Sequence, residues 1–197
     1  AKQQAAELFQ VGRDFDYQHQ PADHWGSRVQ YQGKTPPLTE NASFALPLEG
    51  QHQAHNAAVA LSIVDVLRDR SVSIDAKAVL RGLSAVQCPG RLERYELPDQ
   101  VTAIVDSAHN IDSINALCRC LNERSQGRAI AIVFATSRDK DAASMLEQLI
   151  PLADHLVLTQ FLGNPRFLSP DQLRRLLPAS MTESVQVVQQ PVQACTL

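Results

Sequence analysis

Two short polar segments of the sequence hold side chains whose chemistry suits sugar and phosphate groups. Asp106 follows a short apolar run, and a carboxylate at the end of a strand can accept hydrogen bonds from a ribose hydroxyl. Arg91 follows Gly90, so a sharp turn there can present a guanidinium whose planar fork of donors suits phosphate. Structural interpretations compete: Asp106 could cap the helix that follows, and Arg91 could be a surface residue paired with Glu93. The local pattern leaves both alternatives open.

Three further residues stand in polar clusters near the predicted starts of helices. Asn56 lies in the first turns of a helix that follows Gly50, where its amide could contact a base edge or bond to the backbone. His109 comes shortly after Asp106 and could act in chemistry or be a satisfied histidine in the core or at a domain junction. Lys140 belongs to the Arg-Asp-Lys-Asp segment 138–141, which is either functional or a solvated charge cluster at a helix start.

The hydrophobic pattern predicts short strands followed by helices in the first part of the chain. Apolar residues with a period of two alternate with turn residues, and the spacing then changes to that of a helix. The acidic Asp75 suits the start of the second helix, because its charge complements the helix dipole. The predicted strands are 9–11, 14–18, 27–32 and 43–48, and the predicted helices are 51–69 and 74–83.

Beyond Pro89-Gly90, the best candidate for a domain boundary, short apolar strands alternate with helices. Continuous apolar strands in such an alternation indicate a parallel sheet covered on both faces. The sequence therefore predicts an α/β fold with a Rossmann-like, mostly parallel sheet. The predicted strands are 101–105, 129–134, 155–158 and 185–188, and the predicted helices are 112–124, 141–150 and one that Ser169 and Pro170 begin as N-cap and first residue.

Composition limits the class of protein. The chain has 197 residues, 44% hydrophobic and 20% charged, which is typical of globular proteins. A net charge of −3 gives no reason to expect nucleic-acid binding. The sequence contains no membrane-spanning apolar run and no signal-peptide core, so a soluble, intracellular protein without membrane contact is expected.

The cysteines and histidines predict neither a metal site nor disulfides. The four cysteines have no CxxC spacing, and reduced cysteines that fill apolar space are expected. His52 and His55 could share a helix face, but no third ligand is evident nearby, so no metal-binding residues are predicted.

The order of these motifs resembles the carboxyl-terminal portion of the folylpolyglutamate synthase/dihydrofolate synthase family, within the Mur ligase superfamily. Four features carry the resemblance: LEGQHQAHNAAVAL at 48–61, PGRLE at 89–93, DSAHN at 106–110, and DKD at 139–141 followed by a helix and PLAD. The resemblance covers nearly the whole chain and is most specific from about 46 to 160. Two residues depart from the family, Ser107 where Gly is usual and Ile111 where Pro is usual, and both lie next to the candidate functional positions rather than on them.

The resemblance implies that residues 1–86 are the end of a central ATPase domain and 87–197 a carboxyl-terminal Rossmann-like domain that is truncated at its end. In the family, the phosphate loop and the magnesium ligands belong to an earlier part of the ATPase domain. The sequence contains neither GxxxxGK[ST] nor GxGxxG. A fragment that is inactive alone is therefore expected.

The implied reaction is the ATP-dependent addition of L-glutamate to a folate or dihydropteroate carboxylate, with Mg²⁺ as cofactor. In this sequence Asn56 would contact the adenine, Arg91 the phosphates and Asp106 the ribose. His109 would contribute to the catalytic site, and Lys140 would bind a substrate carboxylate. A cytoplasmic monomer is expected.

Two alternatives stay open. A ligase that joins amino acids to UDP-muramyl precursors shares the GR-x-E and AHN features, although the Gln-His-Gln stretch at 51–53 and the DKD segment are more typical of folate enzymes. A catalytically silent Rossmann-like binding module is favoured by the missing phosphate loop.

Overall fold

A computed structural model describes residues 7–33, 42–181 and 185–195, and the chain divides after Asp106 into two compact units. Each unit has its own hydrophobic core. The predicted border between the family's two domains, after residue 86, stays a prediction.

The first unit begins with an antiparallel sheet of three strands in the order β1-β2-β3. The strands are β1 (Phe15–Pro21), β2 (Ser27–Gly33) and β3 (Ala42–Leu46). Burial alternates strictly along β3, so one face of the sheet packs on the core and the other faces outward. The period-two pattern predicted these strands to within a few residues, whereas the strand predicted at 9–11 is wrong, because Val11 makes a single isolated bridge.

Helix α1 (Gln51–Asp69) covers the inner face of this sheet and has the bounds that its periodicity predicted. Its small buried residues Ala54, Ala57 and Ala58 let the helix pack closely on the strands. Helix α2 (Ala76–Ser84) follows, and Asp75 is its N-cap, with a side chain that accepts from the amides of Lys77 and Ala78.

A buried polar pair lies between the sheet and α1. The hydroxyl of Tyr31 on β2 donates to Oδ2 of Asp65 on α1 at 2.8 Å, and both residues are almost fully buried. Burial and this hydrogen bond raise the pKa of Tyr31. The bond fixes the helix on the sheet, because its loss would leave buried Asp65 without this donor.

The first unit ends in a hairpin of β4 (Glu93–Glu96) and β5 (Thr102–Val105), which pair antiparallel. Asp99 and Gln100 in the connection both have positive φ and turn the chain back on itself. The sequence predicted β5 as the first strand of the parallel sheet, and this is wrong in the described part of the chain, where β5 pairs with β4. Strand β4 was missed because its Glu-Arg-Tyr-Glu sequence is exposed and has no apolar alternation.

The second unit is a parallel sheet with helices, as the fold class predicted. The sheet has the order β6-β7-β8, and both of its strand pairs are parallel. Its elements are α3 (Ile111–Ser125), β6 (Ala131–Phe134), α4 (Ala142–Leu149), β7 (His155–Leu158), α5 (Pro170–Arg174), β8 (Gln186–Val187) and α6 (Pro191–Ala194).

Apolar side chains of α3, α4, α5 and the strands form one core in this unit. Ser169 caps α5, and Pro170 is its first residue, which confirms the predicted start of that helix. None of the helices in the described residues is long and apolar enough to cross a membrane.

All four cysteines are reduced, but they differ in burial. Cys120 is buried and Cys118 is half-buried, so these two fill apolar space as predicted. Cys88 and Cys195 are exposed, and the prediction is wrong for them, because both lie in short connecting or terminal segments outside the cores.

Candidate functional site

Arg91 lies in a tight turn with an unusual backbone. Gly90 has φ +69° and Leu92 has φ +47°, so Arg91 lies between two left-handed residues. Gly90 adopts this conformation without cost, whereas for leucine it costs about 1–2 kcal/mol. The amide of Gly90 donates to Oε2 of Glu93 at 2.9 Å, and the amide of Arg91 donates to the carbonyl of Cys88 at 3.2 Å. The sharp turn that the sequence predicted is therefore present.

Asp106 is part of the same turn through Leu92. The amide of Leu92 donates to Oδ2 of Asp106 at 2.8 Å, and Leu92 is only 1% exposed. The structure thus brings Arg91 and Asp106 together, although they are far apart in the sequence. The alternative that Asp106 caps the next helix is wrong, because the N-cap of α3 is Asn110.

The carboxylate of Glu93 accepts hydrogen bonds from groups other than Arg91. Its carboxylate accepts from the Tyr95 hydroxyl at 2.6 Å and from the amide of Gly90, and these two bonds lower the pKa of Glu93. Within the described residues Arg91 makes no ion pair, so its pairing with Glu93 is not observed. The half-exposed guanidinium remains available for a ligand.

Asn56 lies in the second turn of α1, beside the start of the helix. Gly50 precedes this helix with φ +95° and provides no side-chain cap. Asn56 is exposed, and its Nδ2 lies 3.4 Å from Oε1 of the buried Gln53. Its amide can therefore reach solvent while Gln53 restrains it.

One of the two histidines of this helix contacts an aromatic ring of the sheet. The ring of His55 packs edge-on against Tyr17 with centroids 5.6 Å apart. Among the described residues no cluster of three His, Cys, Asp or Glu side chains could hold a metal ion.

In the second unit, His109 lies in the exposed loop before α3. It is not a core histidine, since its side chain is exposed. Nδ1 lies 3.0 Å from the carbonyl of Ser107, which can only accept, so this contact requires a proton on Nδ1. In the neutral ring Nε2 is then the acceptor, and it can receive a hydrogen bond or a proton.

Lys140 lies in the loop that follows β6, at the carboxyl edge of the parallel sheet. Its ammonium is 3.2 Å from Oδ2 of Asp139, whose Oδ1 accepts from the Ser137 hydroxyl at 2.7 Å. The hydroxyl and the ammonium lower the pKa of Asp139 to about 2. Asp141 is the N-cap of α4 and accepts from Ser144. The charge cluster is thus an ordered loop as well as a helix start.

This loop is tied to the loop that follows β7. The amide of Arg138 donates to the carbonyl of Arg166 at 2.8 Å, and the amide of Leu168 donates to the carbonyl of Thr136 at 2.9 Å. The structure joins His109 and Lys140 by no hydrogen bond or ion pair within the described residues.

Sequence reasoning missed three residues that hold the Arg91 turn or the start of α1. Leu92 gives no signal, since an apolar residue beside a motif is ordinary. Trp25, the only tryptophan, donates from Nε1 to the carbonyl of Leu92 at 3.1 Å, and Glu49 is 1% exposed although it is charged. The single tryptophan of the sequence and the glutamate directly before Gly50 were the signals by which Trp25 and Glu49 could have been found.

The chain is similar to known proteins over most of its length. Residues 90–197 match the family described as "Mur ligase, glutamate ligase domain". The dihydrofolate synthase/folylpolyglutamate synthase of Mycobacterium tuberculosis is 38% identical over 130 residues, which are 65% of this chain and 26% of that protein. The folylpolyglutamate synthase of Lacticaseibacillus casei is 28% identical over 157 residues, which are 79% of this chain and 35% of that protein.

A solved structure agrees with the sequence relatives. The folylpolyglutamate synthase of Mycobacterium tuberculosis, complexed with ADP and AMPPCP, has a TM-score of 0.77 and 30% identity, and the similarity covers 94% of this chain and 40% of that chain. The chain therefore spans two fifths or less of the length of these three proteins.

The low pKa of Asp139 gives a test of the loop that holds Lys140. In Ser137→Ala the pKa should rise from about 2 toward its ordinary value of 3.8, because the hydroxyl is the larger of its two main causes. Because the pKa of Asp139 is lowered in the folded state, this carboxylate stabilises the fold at pH values above 3.8, and the contribution is lost as the pH falls toward 2. The variant should therefore lose less stability than the parent chain over that range.

An NMR titration of the side-chain carboxyl carbons measures this pKa. The matched control is Ser144→Ala, which should raise the pKa of Asp141, lowered mainly by Ser144, and leave Asp139 unchanged. An unaltered Asp139 titration in Ser137→Ala would contradict the geometry of the loop.

Proposed function

Because the chain belongs to the Mur ligase superfamily, and within it to the folylpolyglutamate synthase/dihydrofolate synthase family, we propose that it is part of an ATP-dependent ligase that adds L-glutamate to folate or dihydropteroate. The observation that carries the proposal is the turn in which Asp106 holds the left-handed Leu92 beside Arg91. The resemblance also leads us to propose a monomer in the cytoplasm.

The proposed reaction has two steps. A carboxylate of the pterin substrate attacks the γ-phosphate of ATP and forms an acyl phosphate while ADP leaves. The amine of L-glutamate then attacks the acyl carbon, and phosphate leaves as the amide bond forms. Such chemistry depends mainly on positioning and on the neutralisation of phosphate charge, which are the tasks that fixed side chains can perform.

The first unit is proposed to bind the nucleotide. The planar guanidinium of Arg91 suits the phosphates, and its turn is fixed by hydrogen bonds at Gly90, Arg91 and Leu92. Asp106 is proposed to accept from a ribose hydroxyl, and Asn56 to contact the adenine with its exposed amide. Because the turn is already ordered, binding at it costs less conformational entropy.

The second unit is proposed to act on the other substrates. His109 would be a catalytic residue, because the neutral ring with a proton on Nδ1 offers Nε2 as an acceptor toward the reacting groups. Lys140 would bind a substrate carboxylate. Its ammonium already neutralises one carboxylate, that of Asp139, and both are exposed enough for the ammonium to exchange partners.

We propose Mg²⁺ as the cofactor, as the family resemblance implies, and we propose no magnesium ligand among the described residues of this chain. The described residues contain no cluster of three His, Cys, Asp or Glu side chains, and the sequence lacks the GxxxxGK[ST] loop. No step of the proposed reaction is therefore assigned to a metal held by these residues.

The chain alone should neither hydrolyse ATP nor form amide bonds. The reason is electrostatic, because without a phosphate loop the charge that develops on the transferred phosphoryl group would not be compensated. Glutamate-dependent release of phosphate, measured with the 197-residue chain, checks this. Turnover by the chain would show that these residues suffice for the chemistry.

Replacement of Arg91 should impair the full-length ligase that carries this sequence. Arg91→Ala removes a charge-assisted contact to phosphate, worth about 1.5–3 kcal/mol, and kcat/KM for ATP should fall roughly tenfold to a hundredfold. Steady-state kinetics with varied ATP measure the effect.

The control for Arg91 is Arg81→Ala in the same unit. The Arg81 side chain is 72% exposed and is 3.8 Å from Asp75, so its removal should leave the ATP kinetics unchanged. Equal kinetics in the two variants would remove Arg91 from the nucleotide site.

Asp106→Asn separates the ribose contact from the structural bond to Leu92. An asparagine keeps an oxygen that can accept from the Leu92 amide but loses the charge, so the melting temperature should fall less than in Asp106→Ala. Loss of the charge should weaken the ribose bond by about 1–2 kcal/mol and raise KM for ATP several-fold to about thirtyfold. Asp106→Ala, which removes the acceptor altogether, should lower the melting temperature as well. An Asn variant with a lowered melting temperature and unchanged KM would refute the ribose contact.

A further inference from the structure

We propose that Trp25 is a positioning residue for the nucleotide site, because its indole fixes the turn that presents Arg91. The inference rests on the proposed function, in which Arg91 contacts the phosphates of ATP. It assigns a task to the connection between β1 and β2, a segment outside all four sequence motifs.

Trp25 and Asp106 hold Leu92 from both sides. Nε1 of Trp25 donates to the carbonyl of Leu92 at 3.1 Å, and the amide of Leu92 donates to Asp106 at 2.8 Å. Both polar groups of this residue are thereby bound to side chains distant in the sequence. A leucine at φ +47° persists only where its surroundings determine the conformation, and these two bonds do so. The direction in which Arg91 leaves the turn therefore depends on Trp25.

The indole is itself held in place by an arginine. The guanidinium carbon of Arg94 lies 5.4 Å from the centre of the Trp25 ring, which is within the range of a cation–π contact. Arg94 also forms an ion pair with Glu96 on the same strand. The ring is thus clamped between the turn that it bonds to and the strand that follows this turn.

The backbone beside Trp25 is anchored to the segment before α1. The amide of Gly26 donates to Oε2 of Glu49 at 2.8 Å, and Glu49 is buried. Gly26 has φ +110°, and a Cβ atom there would lie 2.7 Å from the carbonyl oxygen of Leu46, so only glycine fits. Glu49 directly precedes Gly50 and α1. The loop therefore links the segment that leads to Asn56 with the turn that carries Arg91.

Trp25→Phe in the full-length ligase tests the proposal, because it keeps an aromatic ring but removes the donor to Leu92. We expect kcat/KM for ATP to fall about three- to tenfold, which corresponds to one neutral hydrogen bond, while KM for L-glutamate stays unchanged. The matched control is Tyr31→Phe, which removes a buried hydroxyl bond to Asp65 in the same unit without contacting the turn. This control should lower the melting temperature and leave the ATP kinetics of the folded enzyme unchanged.

A double-mutant cycle with Arg91→Ala shows whether Trp25 acts through Arg91. If it does, Trp25→Phe should have no further effect on ATP kinetics once Arg91 is alanine. An equal loss of kcat/KM for ATP in both backgrounds would overturn the proposal. The proposal would also be overturned if Trp25→Phe and Tyr31→Phe lowered both the melting temperature and kcat/KM for ATP to the same extent. If Arg91→Ala itself leaves ATP kinetics unchanged, the nucleotide role of Arg91 is wrong, and the positioning role of Trp25 is wrong with it.

A milder variant covers the case in which Trp25→Phe does not fold. Arg94→Gln keeps the indole but removes the cation above its ring, and it lies on the exposed hairpin. It should lower kcat/KM for ATP about twofold to threefold in the parent background and not at all with Arg91→Ala. Unchanged ATP kinetics in this variant would then overturn the proposal.

Discussion

The geometry of the first unit's candidate site depends on the hydrogen bond from the Leu92 amide to Asp106. A left-handed leucine costs about 1–2 kcal/mol, whereas a hydrogen bond to a charged group contributes about 1.5–3 kcal/mol. The bond and the burial of the Leu92 side chain together outweigh the backbone cost. Without Asp106 the turn would lose the main interaction that offsets the cost of the left-handed Leu92. The position of Arg91 would then no longer be fixed.

The start of α1 is built differently from the starts of the other long helices. Asp75, Asn110 and Asp141 cap α2, α3 and α4 with their side chains, whereas Gly50 has none to offer. A side-chain cap would occupy the first-turn amides, and here the buried Glu49 bonds to Gly26 instead. The first turns of α1 are thus positioned from the preceding loop.

The sequence predicted what depends on local periodicity and missed what depends on distant partners. Both α1 and β7 have the predicted bounds, because a regular apolar pattern and clear end signals define them. Strand β4 was missed, since a polar exposed strand has no pattern, and the partner of β5 was therefore assigned wrongly. Residue types identified Arg91 and Asp106 as candidates, but the contact of Trp25 with Leu92 spans most of the first unit and leaves no local trace.

The missed hairpin is the element that brings the two motifs of the first unit together. Its register pairs Glu93 with Val105, so the next pair along the ladder sets Leu92 opposite Asp106. A slip of the register by one residue would move the carboxylate away from the Leu92 amide and turn the side chains of β5 to the opposite face. The turn of Asp99 and Gln100 fixes this register, because loop geometry determines which residues of a hairpin face each other. A tight turn at the far end of an exposed hairpin thus decides whether Arg91 and Asp106 can act on one ligand.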